Sequence, residues 1–179
     1  MTDQPRPDRS CVPYRRKGLY CLLTIPMLAL LVAVLVYLWT FSFILGLVLL
    51  SFYLTMSYFQ AYCCVYQECP YVGGFCPALL GIMPASLLAK WIYGRRPVVK
   101  SRRSFEIHAL IAMAAWAGVI FFPLFWIAKL GLAFAGGYVA CHAAYYVLFG
   151  LTICPACAIR DICPGGRFQN LVLKRRRCL

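Results

Sequence analysis

No charged side chain occurs anywhere between Leu19 and Tyr66. That stretch is more than twice the ~20 apolar residues that cross the hydrocarbon of a bilayer at 1.5 Å each, so it holds two spanning helices. A run of this length and apolarity points to lipid rather than to a soluble core. A cleaved signal peptide is excluded as well, because its apolar centre runs to only about 7–15 residues. With 63% hydrophobic residues against the roughly half of a soluble domain, the expectation is an all-α integral membrane protein.

Aromatic belts and the remaining charges set the span boundaries. The first span is expected over Leu19–Leu38, with Pro26 tolerated inside it, and the second returns over Phe43–Tyr62. Tyr37, Trp39, Phe41 and Phe43 belt the turn between them, and Tyr58, Phe59, Tyr62 and Tyr66 belt the exit. A third span over Ile107–Ile127 and a fourth over Leu132–Ile153 make a second hairpin with a short outer turn at Lys129. Its pairs Ala114 with Gly118, Ala133 with Gly137 and Ala140 with Ala144 sit four residues apart, a spacing that lets helix backbones approach closely in lipid. Between the hairpins, Ala78–Tyr93 is short for a span, and Leu80, Met83, Leu87, Leu88 and Trp91 recur at helical spacing. That pattern fits a short interfacial or re-entrant helix. The chain therefore divides into a basic segment 1–18, hairpin 19–62, cysteine loop 63–77, interfacial helix and basic loop 78–104, hairpin 105–153, cysteine loop 154–166 and basic tail 167–179.

The net charge of +13 is not a nucleic-acid signal. Eighteen Lys and Arg fall mainly into three blocks, Arg6–Lys17, Lys90–Arg103 and Arg160–Arg177, and each flanks a hydrophobic run. That placement follows the positive-inside rule, which puts both termini and both cysteine loops in the cytoplasm. The partner such blocks attract is the anionic headgroup of the bilayer. No stretch is long enough to form the basic face of a soluble nucleic-acid-binding domain.

Each hairpin runs into a loop crowded with thiols. The first carries Cys63, Cys64, Cys69 and Cys76; the second carries Cys154, Cys157 and Cys163. On a reducing face such clusters are ligands or reactive thiols rather than disulfides. Cys154-x-x-Cys157 can aim two sulfurs at one tetrahedral centre, and Cys69 with Cys76 supplies a second pair. Cys163 and Cys63 or Cys64 are further candidates. Four thiolates of this kind hold zinc or an iron–sulfur cluster. Cys69, Cys76, Cys154 and Cys163 each precede proline, which tilts the expectation toward iron–sulfur, although the spacing matches no ferredoxin, zinc-finger or Rieske pattern. The order hairpin, loop, hairpin, loop has the form of a weak duplication, and two parallel repeats would bring the loops together. The adjacent pair Cys63-Cys64 also suits palmitoylation.

The sequence thus supports a cytoplasmic-face, cysteine-ligated metal or iron–sulfur site, with electron transfer as one use. A membrane thiol–disulfide oxidoreductase using Cys154 and Cys157 is the first alternative, with Arg160 and Arg167 lowering the thiol pKa. In length, four spans and two cysteine groups the chain is similar in outline to the membrane thiol oxidases that pass electrons to quinone. Their cysteines face the oxidising side, whereas these point inward. A soft-metal transporter is the second alternative, with His142 and Cys141 as a station in mid-membrane and a homodimer or membrane-complex partner completing the ligand set. His108 reads as interfacial, and Glu68 and Asp161 as partners for arginines. Cys11, Cys21 and Cys178 read as unpaired thiols. With five acids in all, hydrolytic catalysis is excluded in practice.

Overall fold

The computed structural model describes residues 13–77, 85–94 and 101–163, and among these it contains helices and turns but no strand. The helices are α1 (Lys17–Phe41), α2 (Phe43–Tyr66), α3 (Ala85–Tyr93), α4 (Arg102–Phe121), α5 (Leu124–Leu130) and α6 (Leu132–Thr152), followed by a 3-10 turn at Cys154–Ala156. Four runs are long and apolar enough to cross a membrane: α1, α2, the stretch Arg102–Leu130 and the stretch Leu132–Ala156. Their outward surfaces are apolar, with Leu22, Ile44, Leu110 and Leu132 each more than two-thirds exposed. Hydrocarbon is the solvent for which such a surface carries no penalty.

Local chemistry explains most of the boundaries. Pro26 leaves α1 unbroken, as expected in lipid. One residue separates α1 from α2: Ser42 is extended, and its hydroxyl accepts from the Ile44 N–H at 3.3 Å, an N-cap that restarts the helix at once. The third span differs from expectation, because it is two helices broken at Phe122–Pro123. Proline has no N–H and cannot continue the ladder, which frees carbonyls of the preceding turn. The Tyr138 hydroxyl on α6 donates to the Ile120 carbonyl at 3.1 Å and lies 3.5 Å from that of Val119. The break is thereby satisfied from a neighbouring helix.

α2 is the central element and packs against α1, α3 and α4, while α6 packs against α1 and α5. The close approach falls at Gly118, where a Cβ would stand 2.8 Å from the Phe52 ring of α2. Gly118 of α4 therefore serves α2, while Ala114, the other member of its pair, is exposed. Ala133, Gly137, Ala140 and Ala144 of α6 all face outward.

One end of the bundle gathers both cysteine loops and most of the described basic residues. The Arg16 guanidinium donates to the Thr152 carbonyl at 3.1 Å, which places the start of α1 beside the end of α6. Tyr66 stacks on Phe105 at 4.5 Å and Tyr62 on His108 at 4.0 Å, which places the end of α2 beside the start of α4. At the other end, the Tyr37 hydroxyl donates to the Trp126 carbonyl at 3.1 Å. Among the described residues Arg15, Arg16, Lys17, Lys90, Arg102, Arg103 and Arg160 lie at the first end, and Lys129 alone lies at the second.

A candidate thiol centre

The end of α2 folds one cysteine back on another. Glu68 has φ +51°, the Cys69 N–H bonds the Cys64 carbonyl at 3.1 Å, and the Glu68 N–H bonds the Val65 carbonyl at 3.1 Å. This pair of bonds is the Schellman motif, which brings the residue after the left-handed position against the last helical turn. Cys64 and Cys69 accordingly share one core cluster. Glycine is the usual occupant of the left-handed position, and Glu68 carries a side chain there instead. Glu68→Gly is expected to stabilise the fold by about 1 kcal/mol, read as a higher midpoint in thermal unfolding in detergent.

Beyond Cys69 the loop is clipped to α3. The Gly73 N–H donates to the Ser86 carbonyl and the Ser86 hydroxyl to the Gly74 carbonyl, both at 2.9 Å. Gly73 has φ +78°, and a Cβ there would lie 2.5 Å from the Lys90 side chain, so no other residue fits without strain. α3 buries Ala85, Ser86 and Ala89 against this loop and α2, and leaves Trp91 83% exposed. The first half of the expected 78–93 helix lies outside the described residues, as do Cys11, Cys178, the basic residues 95–100 and the Pro-Gly-Gly after Cys163.

The second loop is a run of tight turns. Cys157 N–H bonds the Cys154 carbonyl at 3.1 Å, and Cys163 N–H bonds the Ile159 carbonyl at 2.8 Å. Cys154 opens a 3-10 turn, and Cys157 caps its end in an extended conformation.

The two loops meet. The Ala158 N–H donates to the Tyr71 hydroxyl oxygen at 3.1 Å, a buried bond between residues 87 apart in the chain. One apolar core holds Cys64, Cys69 and Cys157, with Cys76, Cys154 and Cys163 packed against it. Of the seven candidate thiols only Cys63 lies outside this cluster, although it too is buried. Cys63 and Cys64 are neighbours on a helix and so point about 100° apart. Among the described residues, no three His, Cys, Asp or Glu side chains converge tightly enough to form a ready coordination group.

Electrostatics mark these thiols as buried and protonated. Burial pushes the Cys69 thiol up to about 12, and the charges of Cys76 and Cys163 add to the effect while a backbone bond at Tyr71 opposes it. Burial also raises Cys157 well above the ordinary thiol range; a backbone bond at Ile159 opposes this, and Cys69, Cys163 and Cys76 reinforce it. Arg160 is buried, with its Nε 3.7 Å from the Asp161 carboxylate. Two tyrosines belong to the same core. Burial raises Tyr71 to about 12 and lifts Tyr14 above the ordinary tyrosine range, so both remain protonated at neutral pH.

The mid-membrane pair does not form. His142 is buried, with its Nδ1 3.0 Å from the Tyr138 carbonyl, while Cys141 faces outward on the other side of α6. His108 is held locally, with its Nδ1 2.7 Å from the Ser104 carbonyl and its ring against Tyr62. Cys21 is exposed on α1, apart from the cluster. Tyr14 and Tyr71 escaped the sequence reading, since isolated tyrosines among twelve form no pattern. No family model, curated protein or solved structure matches this chain.

Proposed function

We propose that this four-span protein holds a soft metal ion or an iron–sulfur centre between its two cysteine loops, on the cytoplasmic face of a membrane. The observation that carries the reading is the packing of six thiols from both loops into one core joined by the Tyr71–Ala158 bond. Thiols whose charges raise one another's pKa repel once ionised, and a bound cation is what relieves that repulsion. Cys64, Cys69, Cys154 and Cys157 would hold the ion as thiolates, so that binding would release their protons. Cys76 and Cys163 stand next in line.

The buried, raised-pKa environment favours ligation over thiol–disulfide exchange. Exchange needs an accessible thiolate of lowered pKa, and Cys157 has the opposite surroundings. Orientation follows from charge: seven basic residues at the loop end against Lys129 at the other support the cytoplasmic side by the positive-inside rule. On this reading α3 lies in the interface, with Trp91 and Leu87 in the headgroup layer and Lys90 at the lipid surface.

Anaerobic purification followed by metal analysis and a visible spectrum is expected to give a bound metal in stoichiometric amount. Broad absorbance beyond the protein bands identifies iron–sulfur, and colourless protein with one zinc identifies a structural clamp. Protein that keeps no metal from anaerobic growth medium through purification refutes the reading.

A further inference from the structure

A continuous line of aromatic rings joins the interior of the spans to the thiol core. At its membrane end the Trp116 indole N–H of α4 donates to the Tyr146 hydroxyl of α6 at 2.8 Å. The Tyr146 and Tyr145 ring centres lie 5.2 Å apart, and those of Tyr145 and Phe149 lie 5.5 Å apart. The line crosses to α1 at Tyr20, 6.0 Å from Phe149, and reaches the first cysteine loop at Phe75, 4.8 Å from Tyr20. Tyr14 stacks on Phe75 at 5.8 Å and meets Tyr71 edge-on at 6.4 Å. Tyr71 ends the line beside the second loop, since its hydroxyl takes the Ala158 N–H one residue past Cys157. Every ring-to-ring step falls within the range at which aromatic side chains touch. Tyr14, Tyr20, Tyr71 and Tyr145 also share one buried core with Cys64, Cys69 and Cys157.

Packing explains the rings but not the hydroxyls. A buried hydroxyl without a partner costs about 1–3 kcal/mol, and phenylalanine would fill the same space without that penalty. The hydroxyls of Tyr14 and Tyr145 are buried and have no hydrogen-bond partner. What a phenol has and a phenyl lacks is ready one-electron oxidation, in which it gives up an electron and its proton to become a tyrosyl radical. Indole shares that property, and thiols stand at the other end of the line. Phe149 and Phe75 are too hard to oxidise to hold the charge, and each bridges one gap between two tyrosines.

We propose that this line carries oxidising equivalents from the hydrocarbon to the buried thiols, which act as an electron reserve against lipid radicals. Trp116 and Tyr146 are partly exposed on the surface of the spans, so an oxidant that reaches them there is lipid-soluble. A lipid peroxyl radical is the matching class. It takes one electron and one proton from Tyr146 and becomes a lipid hydroperoxide. The vacancy then moves through Tyr145, Tyr20, Tyr14 and Tyr71. Each phenol loses its proton on oxidation and regains one on refilling, so the net transfer is one electron and one proton from a thiol. Cys154 and Cys157, held across one tight turn, each lose one hydrogen equivalent in this way, and the two sulfur radicals join. Two peroxyl radicals and two thiols thus give two hydroperoxides and one disulfide, and a soluble thiol reductant restores the dithiol by exchange. No bound ion takes part, so the inference stands apart from the metal reading.

Full-length protein, freed of metal and kept in chelator, is placed in vesicles of saturated phosphatidylcholine. A lipid-soluble azo initiator then makes peroxyl radicals within the bilayer. After timed exposure the protein is denatured, and the surviving thiols are measured site by site by maleimide labelling and peptide mapping. Tyr145→Phe keeps the ring and removes an unpartnered hydroxyl, so it should melt no lower than wild type in detergent. Its Cys154 and Cys157 should be lost several-fold more slowly than in wild type. Cys21 and Cys141, exposed on the outer surfaces of α1 and α6, should be lost at equal rates in the two proteins. With a water-soluble initiator the two proteins should behave alike. Wild type frozen during exposure should also show a tyrosyl signal in electron paramagnetic resonance, a measurement that needs no variant. Equal loss of Cys154 and Cys157 from both proteins in the lipid-phase experiment overturns the inference, and so does wild type without a tyrosyl signal. A difference that persists with the water-soluble initiator overturns it too, by showing that the substitution alters the thiols themselves. A lower melting point of Tyr145→Phe does the same, by showing that the hydroxyl serves the fold. None of these results bears on metal retention.

Discussion

Cys69→Ala combined with Cys157→Ala is expected to abolish metal retention, whereas Cys63→Ala leaves it unchanged. The double variant removes one buried sulfur from each loop, and these two belong to the shared core. A centre that loses two of four thiolates falls from about one metal per chain to none, because structural zinc and iron–sulfur sites are closed by all four ligands. Cys63 provides the control. It is as deeply buried as its neighbour Cys64 but lies outside the cluster, on a different side of α2. Loading all three proteins anaerobically, desalting in detergent and measuring metal per chain checks the result. Retention by the double variant, or loss in Cys63→Ala, would place the centre elsewhere.

That discrimination between Cys63 and Cys64 was beyond the sequence, and the reason is geometric. Both stand in the same loop motif, and only the register of α2 decides which sulfur faces the second loop. The spans themselves were legible because lipid imposes one simple requirement: an uncharged run of sufficient length. Leu19–Tyr66 satisfies it twice over, and the helices observed, Lys17–Phe41 and Phe43–Tyr66, extend the expected spans by a few residues. The third span was legible in extent but not in its break. Pro26 and Pro123 look alike in the sequence, yet one lies within a continuous helix and the other parts α4 from α5. Tyr138, eighteen residues past Ile120, supplies the bond that makes the second break tolerable.

Small-residue spacing proved ambiguous for a similar reason. Gly118 does mark a close approach, but the partner is Phe52 of α2, and the matching series on α6 faces outward. A spacing rule names a face and not what lies opposite. His142 and Cys141 failed as a pair on the same ground, since adjacent residues on a helix cannot share a site in its interior. The meeting of the two cysteine loops was anticipated from their parallel placement in the chain. What holds them together was not, because Glu68 carries no glycine signal for its left-handed turn, and Tyr14 and Tyr71 belong to no motif. These three residues shape the site, and each does so through a contact with a distant or reversed segment.

Phe149→Ala is expected to loosen the whole loop end of the bundle. Phe149 is fully buried near the end of α6, with Tyr20 of α1 at 6.0 Å and Tyr145 at 5.5 Å between ring centres. It belongs to the same core as Cys64, Cys69 and Cys157, so its ring is the floor on which the thiol loops rest. Truncating a buried phenylalanine costs about 3–5 kcal/mol in soluble proteins, from lost transfer energy and from the cavity left behind. In a bilayer the transfer part shrinks, because lipid tails are as apolar as the core and packing contact carries the association. The cost should therefore fall near the lower end, at about 3 kcal/mol. Unfolding in mixed detergent should report that loss, and maleimide should label Cys69 and Cys157 faster than in wild type as the core loosens. A substitution at equally apolar but outward-facing Leu132 is the comparison, since it is 86% exposed. If Phe149→Ala and Leu132→Ala lose stability to the same small extent, the core under the cysteine loops is not what holds them together.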